Sequence, residues 1–174
     1  MSRYFIDKFI SGAQVGADIA ALRAVARRGY PTGGTMPKGF RTKDGPRPDW
    51  AEEFGLAESH SPNYPPRTWA NVRDSDMTIR IAVDYNSPGE RLTATACRST
   101  KRRMVDIPLY RHDADRLYVA LEGHIGAAVF DIVRYRHLLK RPLVINIAGN
   151  ARIDIEPAVE AVMSSLLDSL QALQ

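Results

Sequence analysis

The sequence is short of the residue that most often marks an extracellular protein. Cys97 is the only cysteine among 174 residues, so the chain cannot form an internal disulfide bond. Disulfides are common in oxidising compartments and rare in the cytoplasm. We therefore expect a cytoplasmic protein, and a chain of this length can bury a sufficient apolar core without disulfides or a metal.

Long apolar segments are missing as well. No stretch approaches the roughly 20 apolar residues that a membrane-spanning helix needs. Arg3, Asp7 and Lys8 interrupt the first ten residues, where a signal peptide would need an unbroken apolar core. The sequence therefore predicts neither a membrane span nor a secretion signal.

Motifs for metal binding or nucleophilic catalysis are also absent. The four histidines, His60, His112, His124 and His137, have no metal-ligand spacing with Cys97 or with one another. Neither a Walker phosphate loop nor a Gly-x-Ser-x-Gly nucleophile turn occurs. We expect no metal site and no required cofactor.

The charge that is present favours an anionic partner. The net charge is +4, and arginine is commoner than lysine. Arginine makes bidentate contacts to phosphate and carboxylate groups, which favours an anionic small molecule. The basic residues are scattered, so we do not expect nucleic acid as a partner. A merely solvated basic surface is the simpler interpretation and stays open.

Short apolar runs alternate with amphipathic stretches along the whole chain, which predicts an α/β fold. We expect one domain over residues 1–174, a three-layer Rossmann-like fold with a mostly parallel sheet and helices on both faces. The predicted strands are Asp7–Ile10, Met77–Val83, Met104–Leu109 and Leu143–Ile147. The predicted helices are Ala17–Arg28, Arg67–Arg73, Glu90–Lys101, Asp115–Leu139 and Ile155–Leu173.

Two segments carry separate expectations. Tyr30–Pro66 is rich in glycine and proline, and we interpret it as a long functional loop. The predicted helix Asp115–Leu139 carries more apolar residues than one face can bury. We therefore expect a homo-oligomer that uses this surface, with a deeply buried helix as the alternative.

Three turns follow predicted strands and precede helices: Ser11–Gly16, Ser87–Glu90 and Gly149–Arg152. In an open parallel sheet such turns lie together at the carboxyl edge, where ligands bind. Free N–H groups at a helix start favour a phosphate. We expect the phosphate on the backbone of Gly12–Gly16, although glycines that only make a tight turn would leave the same pattern.

The order of these motifs resembles a known family, the molybdenum cofactor carriers, also described as circularly permuted YpsA-like proteins of the SLOG superfamily. The resemblance rests on Ser11–Asp18, Gly33-Gly34, Pro37-Lys38-Gly39, Asp44-Gly45, Trp69–Asp76 and Ile145–Gly149. It implies a Rossmann-like fold and a ligand such as molybdenum cofactor or a nucleotide-like molecule. The candidate ligand-binding residues are Ser11, Gly12, Ala13, Gln14, Gly16, Lys38, Arg73, Asp74, Ser87, Pro88, Gly89, Glu90, Gly149, Asn150 and Arg152.

The chain departs from that family's pattern at each turn. Ala13 replaces a second glycine, Glu90 follows Gly89 where a threonine is usual, and Asn150-Ala151-Arg152 replaces a Pro-Arg ending. A carboxylate at Glu90 would repel a phosphate at close range. We therefore expect the second turn to meet a neutral or donor-rich part of the ligand.

Three functions remain open from the sequence. The first is a carrier or storage protein for molybdenum cofactor, and the second a sensor or sequestering protein for a nucleotide-derived, ADP-ribose-like signal. The third is a nucleoside-monophosphate N-glycoside hydrolase, for which Asp18 and Glu90 are the candidate catalytic carboxylates. Counting along the hydrolase motif of the superfamily puts Ile19, not Asp18, at the glutamate position, which favours binding over catalysis.

Overall fold

The computed structural model describes residues 5–112 and 117–173. The strands are β1 (Ile6–Ser11), β2 (Thr32–Met36), β3 (Arg41–Thr42), β4 (Gly45–Pro46), β5 (Leu56–Glu58), β6 (Met77–Ala82), β7 (Arg103–His112), β8 (Leu117–Ala120) and β9 (Leu143–Gly149). The helices are α1 (Ala17–Arg27), α2 (Pro48–Phe54), α3 (Tyr64–Arg73), α4 (Pro88–Thr100), α5 (Glu122–Leu139) and α6 (Glu156–Ala172). A short 3-10 turn, Ile153–Ile155, precedes α6.

Seven strands form one sheet in the order β5-β2-β1-β9-β6-β7-β8. Every neighbouring pair in it is parallel except β7 and β8, which are antiparallel. All six residues of β6 are buried, because a central parallel strand is covered on both faces. Helices α1, α5 and α6 pack together, and α3 packs on α4. These observations confirm the predicted three-layer Rossmann-like fold.

The order of the strands creates a crevice near β1 and β9. The chain leaves β1 towards β2 and returns through α3 to β6, on the other side of β9. Connections that diverge in opposite directions leave a gap at the carboxyl ends of the strands, where ligands of such folds bind. The turns after β1, β6 and β9 all lie at this edge.

The prediction of a long loop over Tyr30–Pro66 was wrong. The segment contains β2 to β5 and α2. Strand β2 carries Gly33 and Gly34, and glycine is uncommon inside strands. A Cβ on Gly34 would lie 2.0 Å from the carbonyl oxygen of Ser11, so this glycine lets β2 approach β1 closely.

The prediction of one helix over Asp115–Leu139 was also wrong at its beginning. Leu117–Ala120 form β8, which pairs with the end of β7, and α5 begins only at Glu122. Residues 113–116, which include the start of the predicted helix, lie outside the described residues. The physical reason is the spacing of Leu117 and Val119, which alternate with period two, as in a strand.

The helices are short or polar relative to a membrane-spanning helix. Within residues 5–112 and 117–173, none of them is both long and apolar enough to cross a bilayer.

Candidate functional site

The turns after β6 and β9 are joined by one amide side chain. Asn150 Oδ1 accepts hydrogen bonds from the N–H groups of Val83, at 2.8 Å, and Asp84, at 2.9 Å. Its Nδ2 donates to the Asp84 carbonyl at 2.9 Å and to Ser87 Oγ at 3.3 Å. Asn150 was predicted to bind ligand, but both ends of its side chain hold the two turns together.

Four successive N–H groups, three at the end of the turn after β1 and one at the start of α1, bind acceptors within the protein. The bonds run from Gln14 to Asp18 Oδ2 at 3.3 Å, Val15 to Gln14 Oε1 at 3.1 Å, Gly16 to Glu156 Oε1 at 3.0 Å and Ala17 to the Asn150 carbonyl at 3.1 Å. Two of these acceptors are carboxylates, so they also offset the positive end of the α1 dipole. A phosphate on this stretch of backbone would have to displace both carboxylates.

A largely buried arginine lies over the same turn. Arg67, in the first turn of α3, places Nη1 3.2 Å from Asp18 Oδ2. A Cβ built on Gly12 would lie only 1.6 Å from this Nη1, so the guanidinium occupies the space that the missing side chain leaves. The Arg67 side chain is 15% exposed and Asp18 is 5% exposed. The glycine of the turn therefore makes room for a cation.

Burial and charge shift the proton affinity of Asp18. Burial raises the pKa of the Asp18 carboxyl, and the Arg67 guanidinium opposes that rise. A hydrogen bond from the Gln14 N–H group also stabilises the ionised form. Asp18 is therefore tied to its surroundings on several sides and has little freedom to reach a ligand.

A second buried carboxyl group lies at the start of α4. Glu90 is 3% exposed, and its Oε2 lies 3.6 Å from Nη1 of Arg80. Arg80 in turn forms a bidentate pair with Asp106, with distances of 2.8 and 2.6 Å. Glu90 Oε2 has no hydrogen-bond partner within the described residues.

The surroundings of Glu90 favour its protonated form. Burial raises its pKa to about 7, Arg80 opposes this, and the charges of Asp18 and Asp106 add to it. Asp18 and Glu90 therefore belong to one electrostatically coupled cluster beneath the carboxyl edge. The structure thus brings the two candidate catalytic residues together, although both side chains are buried.

A hairpin formed by β3 and β4 contacts two of the turns. The N–H group of Lys43 donates to Gln14 Oε1 at 2.8 Å, and Lys43 Nζ lies 3.4 Å from the Ala151 carbonyl oxygen. Thr42 on this hairpin is buried. The hairpin therefore fixes the outer side of the crevice near the turns after β1 and β9.

Comparison with known proteins identifies the family. The model of the circularly permutated YpsA SLOG family matches residues 9–170, which is nearly the whole chain. The chain belongs to this family. The crystal structure of a protein from Syntrophus aciditrophicus SB, named "Putative molybdenum carrier protein", shares 31% identity, with 97% of each chain covered and a TM-score of 0.72. A search of curated proteins gave no match.

In this SLOG protein some predicted residues lie away from the crevice. Arg73 and Asp74 pair with each other at 2.7 Å, where α3 ends and just before β6 begins. They are therefore at the amino edge of the sheet, opposite the turns. In the sequence, Trp69–Asp76 form one polar motif. In the structure, α3 runs from the carboxyl edge of the sheet to the amino edge, so its beginning and its end lie at opposite edges.

Arg152, predicted to bind ligand, binds two side chains of the protein. It is paired with Asp154 at 2.6 Å, and its Nη2 donates to the hydroxyl of Tyr118 at 2.9 Å. The contact with Tyr118 places the guanidinium beside β8. Lys38 does lie at the carboxyl edge, just after β2, where its N–H group donates to the Ser61 carbonyl at 2.8 Å.

The remaining predicted residues lie in or beside the three turns of this SLOG protein. Ser11 is buried, and its hydroxyl donates to the Ile147 carbonyl at 2.8 Å. A Cβ on Gly149 would lie 2.0 Å from the Ile81 carbonyl oxygen, so this glycine serves close strand packing. Ala13 has a φ of 49° in the left-handed region. Ser87, Pro88 and Gly89 begin α4.

Sequence reasoning missed Arg67 and Arg80 as members of this cluster. Arg67 follows Pro65-Pro66 and was interpreted only as the start of a helix. The signal that could have found Arg67 was its position in the first turn of a helix that leads into a parallel strand, because such a helix begins at the carboxyl edge of the sheet. No group of three or more metal-binding side chains comes together within the described residues.

Proposed function

We propose that this SLOG protein binds a phosphate-bearing small molecule at the carboxyl edge of its sheet, as a carrier or storage protein of the molybdenum cofactor type. The observation that carries the proposal is the largely buried Arg67 over Gly12, since it puts a cation against a turn at the carboxyl edge. The 31% identical protein is named a molybdenum carrier, which supports molybdenum as the cargo.

Binding fits the geometry better than catalysis does. A carrier needs a preformed site and no group that attacks its cargo. Asp18 and Glu90 are both buried and engaged with arginines, so neither offers the positioned, reachable carboxyl group that proton transfer requires. Asp18 instead holds Arg67 in place, and Arg80 Nη1 donates to the Glu90 carbonyl at the start of α4 at 3.1 Å.

The identity of the small molecule is tested by what the protein carries. The protein is purified without added ligand, denatured, and the released molecules are analysed by mass spectrometry together with a molybdenum measurement. A pterin phosphate with stoichiometric molybdenum supports the carrier function. An ADP-ribose-like nucleotide would instead favour the sensor or sequestering function, and recovery of no phosphate-bearing species would contradict both.

Glycoside hydrolysis is a second candidate because of one specific observation. Glu90 has a pKa of about 7, a value suited to a general acid at neutral pH. Incubation with adenosine monophosphate and chromatography of released adenine tests it. We expect no release above the buffer control, and release that disappears in Glu90→Gln would establish the hydrolase instead.

A further inference from the structure

Arg67 has more hydrogen-bonding capacity than the protein uses. A guanidinium carries five N–H donors. Within the described residues its hydrogen bond is the one from Nη1 to Asp18 Oδ2, at 3.2 Å. Nε is buried and has no partner there. A nearly buried polar group usually has its donors satisfied, so the unused donors of Arg67 point to a missing acceptor.

The groups around Arg67 do not fill this need. The ring of Tyr64 lies 5.8 Å from Cζ, which is within cation–π range but supplies no hydrogen-bond acceptor. Asp18 divides its carboxylate between Arg67 and the N–H group of Gln14. One shared carboxylate therefore leaves most of the guanidinium fork open.

The position of Arg67 also fits an anion at this edge. Its Nη1 lies directly over Gly12, at the carboxyl end of β1. Within the Gly12–Gly16 backbone that was expected to bind the phosphate, the N–H groups of residues 14–16 already bind protein acceptors. The planar fork of arginine matches the oxygen geometry of a phosphate, which a single backbone donor does not.

We infer that Arg67 binds the anionic group of the ligand, a phosphate monoester or a pyrophosphate, through the N–H groups that the protein leaves unused. Asp18 is the positioning residue, because its carboxylate holds the guanidinium over Gly12. This inference rests on the proposed function and adds to it the residue that recognises the phosphate.

The test compares Arg67→Gln with the parent by calorimetric titration of pyrophosphate and of adenosine monophosphate. Loss of a charge-assisted contact weakens binding about 10- to 100-fold. Arg67→Lys keeps the positive charge but loses the forked donors, so we expect its affinity for both ligands to lie between those of the parent and Arg67→Gln. Arg27→Gln is the matched control, since Arg27 pairs with Glu160 at 2.8 Å on an exposed surface and is expected to leave affinity unchanged.

Arg67→Gln leaves Asp18 buried without its partner, and this variant can lose stability for that reason alone. The double variant Asp18→Asn/Arg67→Gln removes both charges and keeps hydrogen-bonding groups at both positions. Its thermal unfolding and circular dichroism show whether it folds. We expect a folded protein that binds as weakly as Arg67→Gln.

The outcomes separate this inference from the function on which it rests. Parent binding that is weakened in the folded double variant supports both. Parent binding that is equally tight in the double variant overturns the role of Arg67 and leaves the proposed function standing. A parent that binds neither pyrophosphate nor adenosine monophosphate, and that carries no phosphate-bearing molecule when purified, overturns both.

Discussion

Glu90 Oε2 lies 3.6 Å from Nη1 of Arg80, just beyond hydrogen-bond reach, in a site where both side chains are almost fully buried. Because Asp106 already takes Arg80 in a bidentate pair, the cluster holds more carboxyl groups than Arg80 can neutralise. Burial is the main reason that Glu90 keeps its proton to an unusually high pH, and the charges of Asp18 and Asp106 add to it.

This relationship predicts a pH-dependent stability. Burial raises the pKa of Glu90 from 4.5 to about 7, so the folded state holds the proton more tightly than the unfolded state does. The contribution of this proton to the free energy of unfolding is fully present below pH 4.5 and is lost as the pH rises through about 7. The difference corresponds to about 3 kcal/mol.

The measurement is urea unfolding of the parent and of Glu90→Gln between pH 4.5 and pH 8. We expect the free energy of unfolding of the parent, relative to the variant, to fall by about 3 kcal/mol over this range. Glu52→Gln, at an exposed position, controls for loss of a surface charge. Parallel curves for the parent and Glu90→Gln would show that folding does not raise the pKa of Glu90.

Asn150 is expected to contribute strongly to stability, because it satisfies the N–H groups of Val83 and Asp84. Asn150→Ala leaves both donors without a partner, and we expect a loss of about 2–3 kcal/mol in the free energy of unfolding. Asn86→Ala, at an exposed position in the neighbouring turn, is the control. Equal stability of the two variants in denaturant titrations would contradict the joining role of Asn150.

We propose that the protein self-associates through the ribbon face, formed by Tyr110, Leu117, Val119 and Leu121, which are 45%, 56%, 42% and 55% exposed. Val119 lies directly opposite Tyr110 on paired strands, so the two form a continuous apolar surface beside the edge strand β8. Val119→Lys is expected to give a monomer by light scattering at micromolar concentration. Leu173→Lys removes an equally exposed apolar side chain elsewhere and should keep the parent's mass. A monomeric parent would contradict the proposal.

The strands and helices that carry strong periodicity were predictable from the sequence. Met77–Ala82 is a buried run of strand-forming residues, and α1 and α6 carry apolar faces with helical spacing. β2 was missed because Gly33 and Gly34 lower its strand propensity, and only the close approach to Ser11 explains them. β8 was missed because four residues are too few to separate period two from period 3.6.

The candidate site was predictable only in part. The turns were found because glycine followed by a helix is a local signal. The contact between Arg67 and Gly12 joins positions far apart in the chain, so no local pattern announces it. One acceptor in the first turn is also distant in sequence, since Glu156 accepts from the Gly16 N–H group across 140 positions. Such contacts appear only when the sheet brings the turns together.

Gly12→Asp tests the central claim most directly, because it puts a side chain and a negative charge where Arg67 meets the ligand. Native mass spectrometry of the parent and the variant, both purified without added ligand, is the measurement. Gly12→Ala adds the Cβ without the charge and separates crowding from electrostatics. The account predicts a parent that carries a phosphate-bearing molecule, a Gly12→Ala protein with reduced occupancy, and a folded Gly12→Asp protein that carries none. A folded Gly12→Asp protein with the same bound molecule at the parent's occupancy would show that the ligand does not bind at this turn.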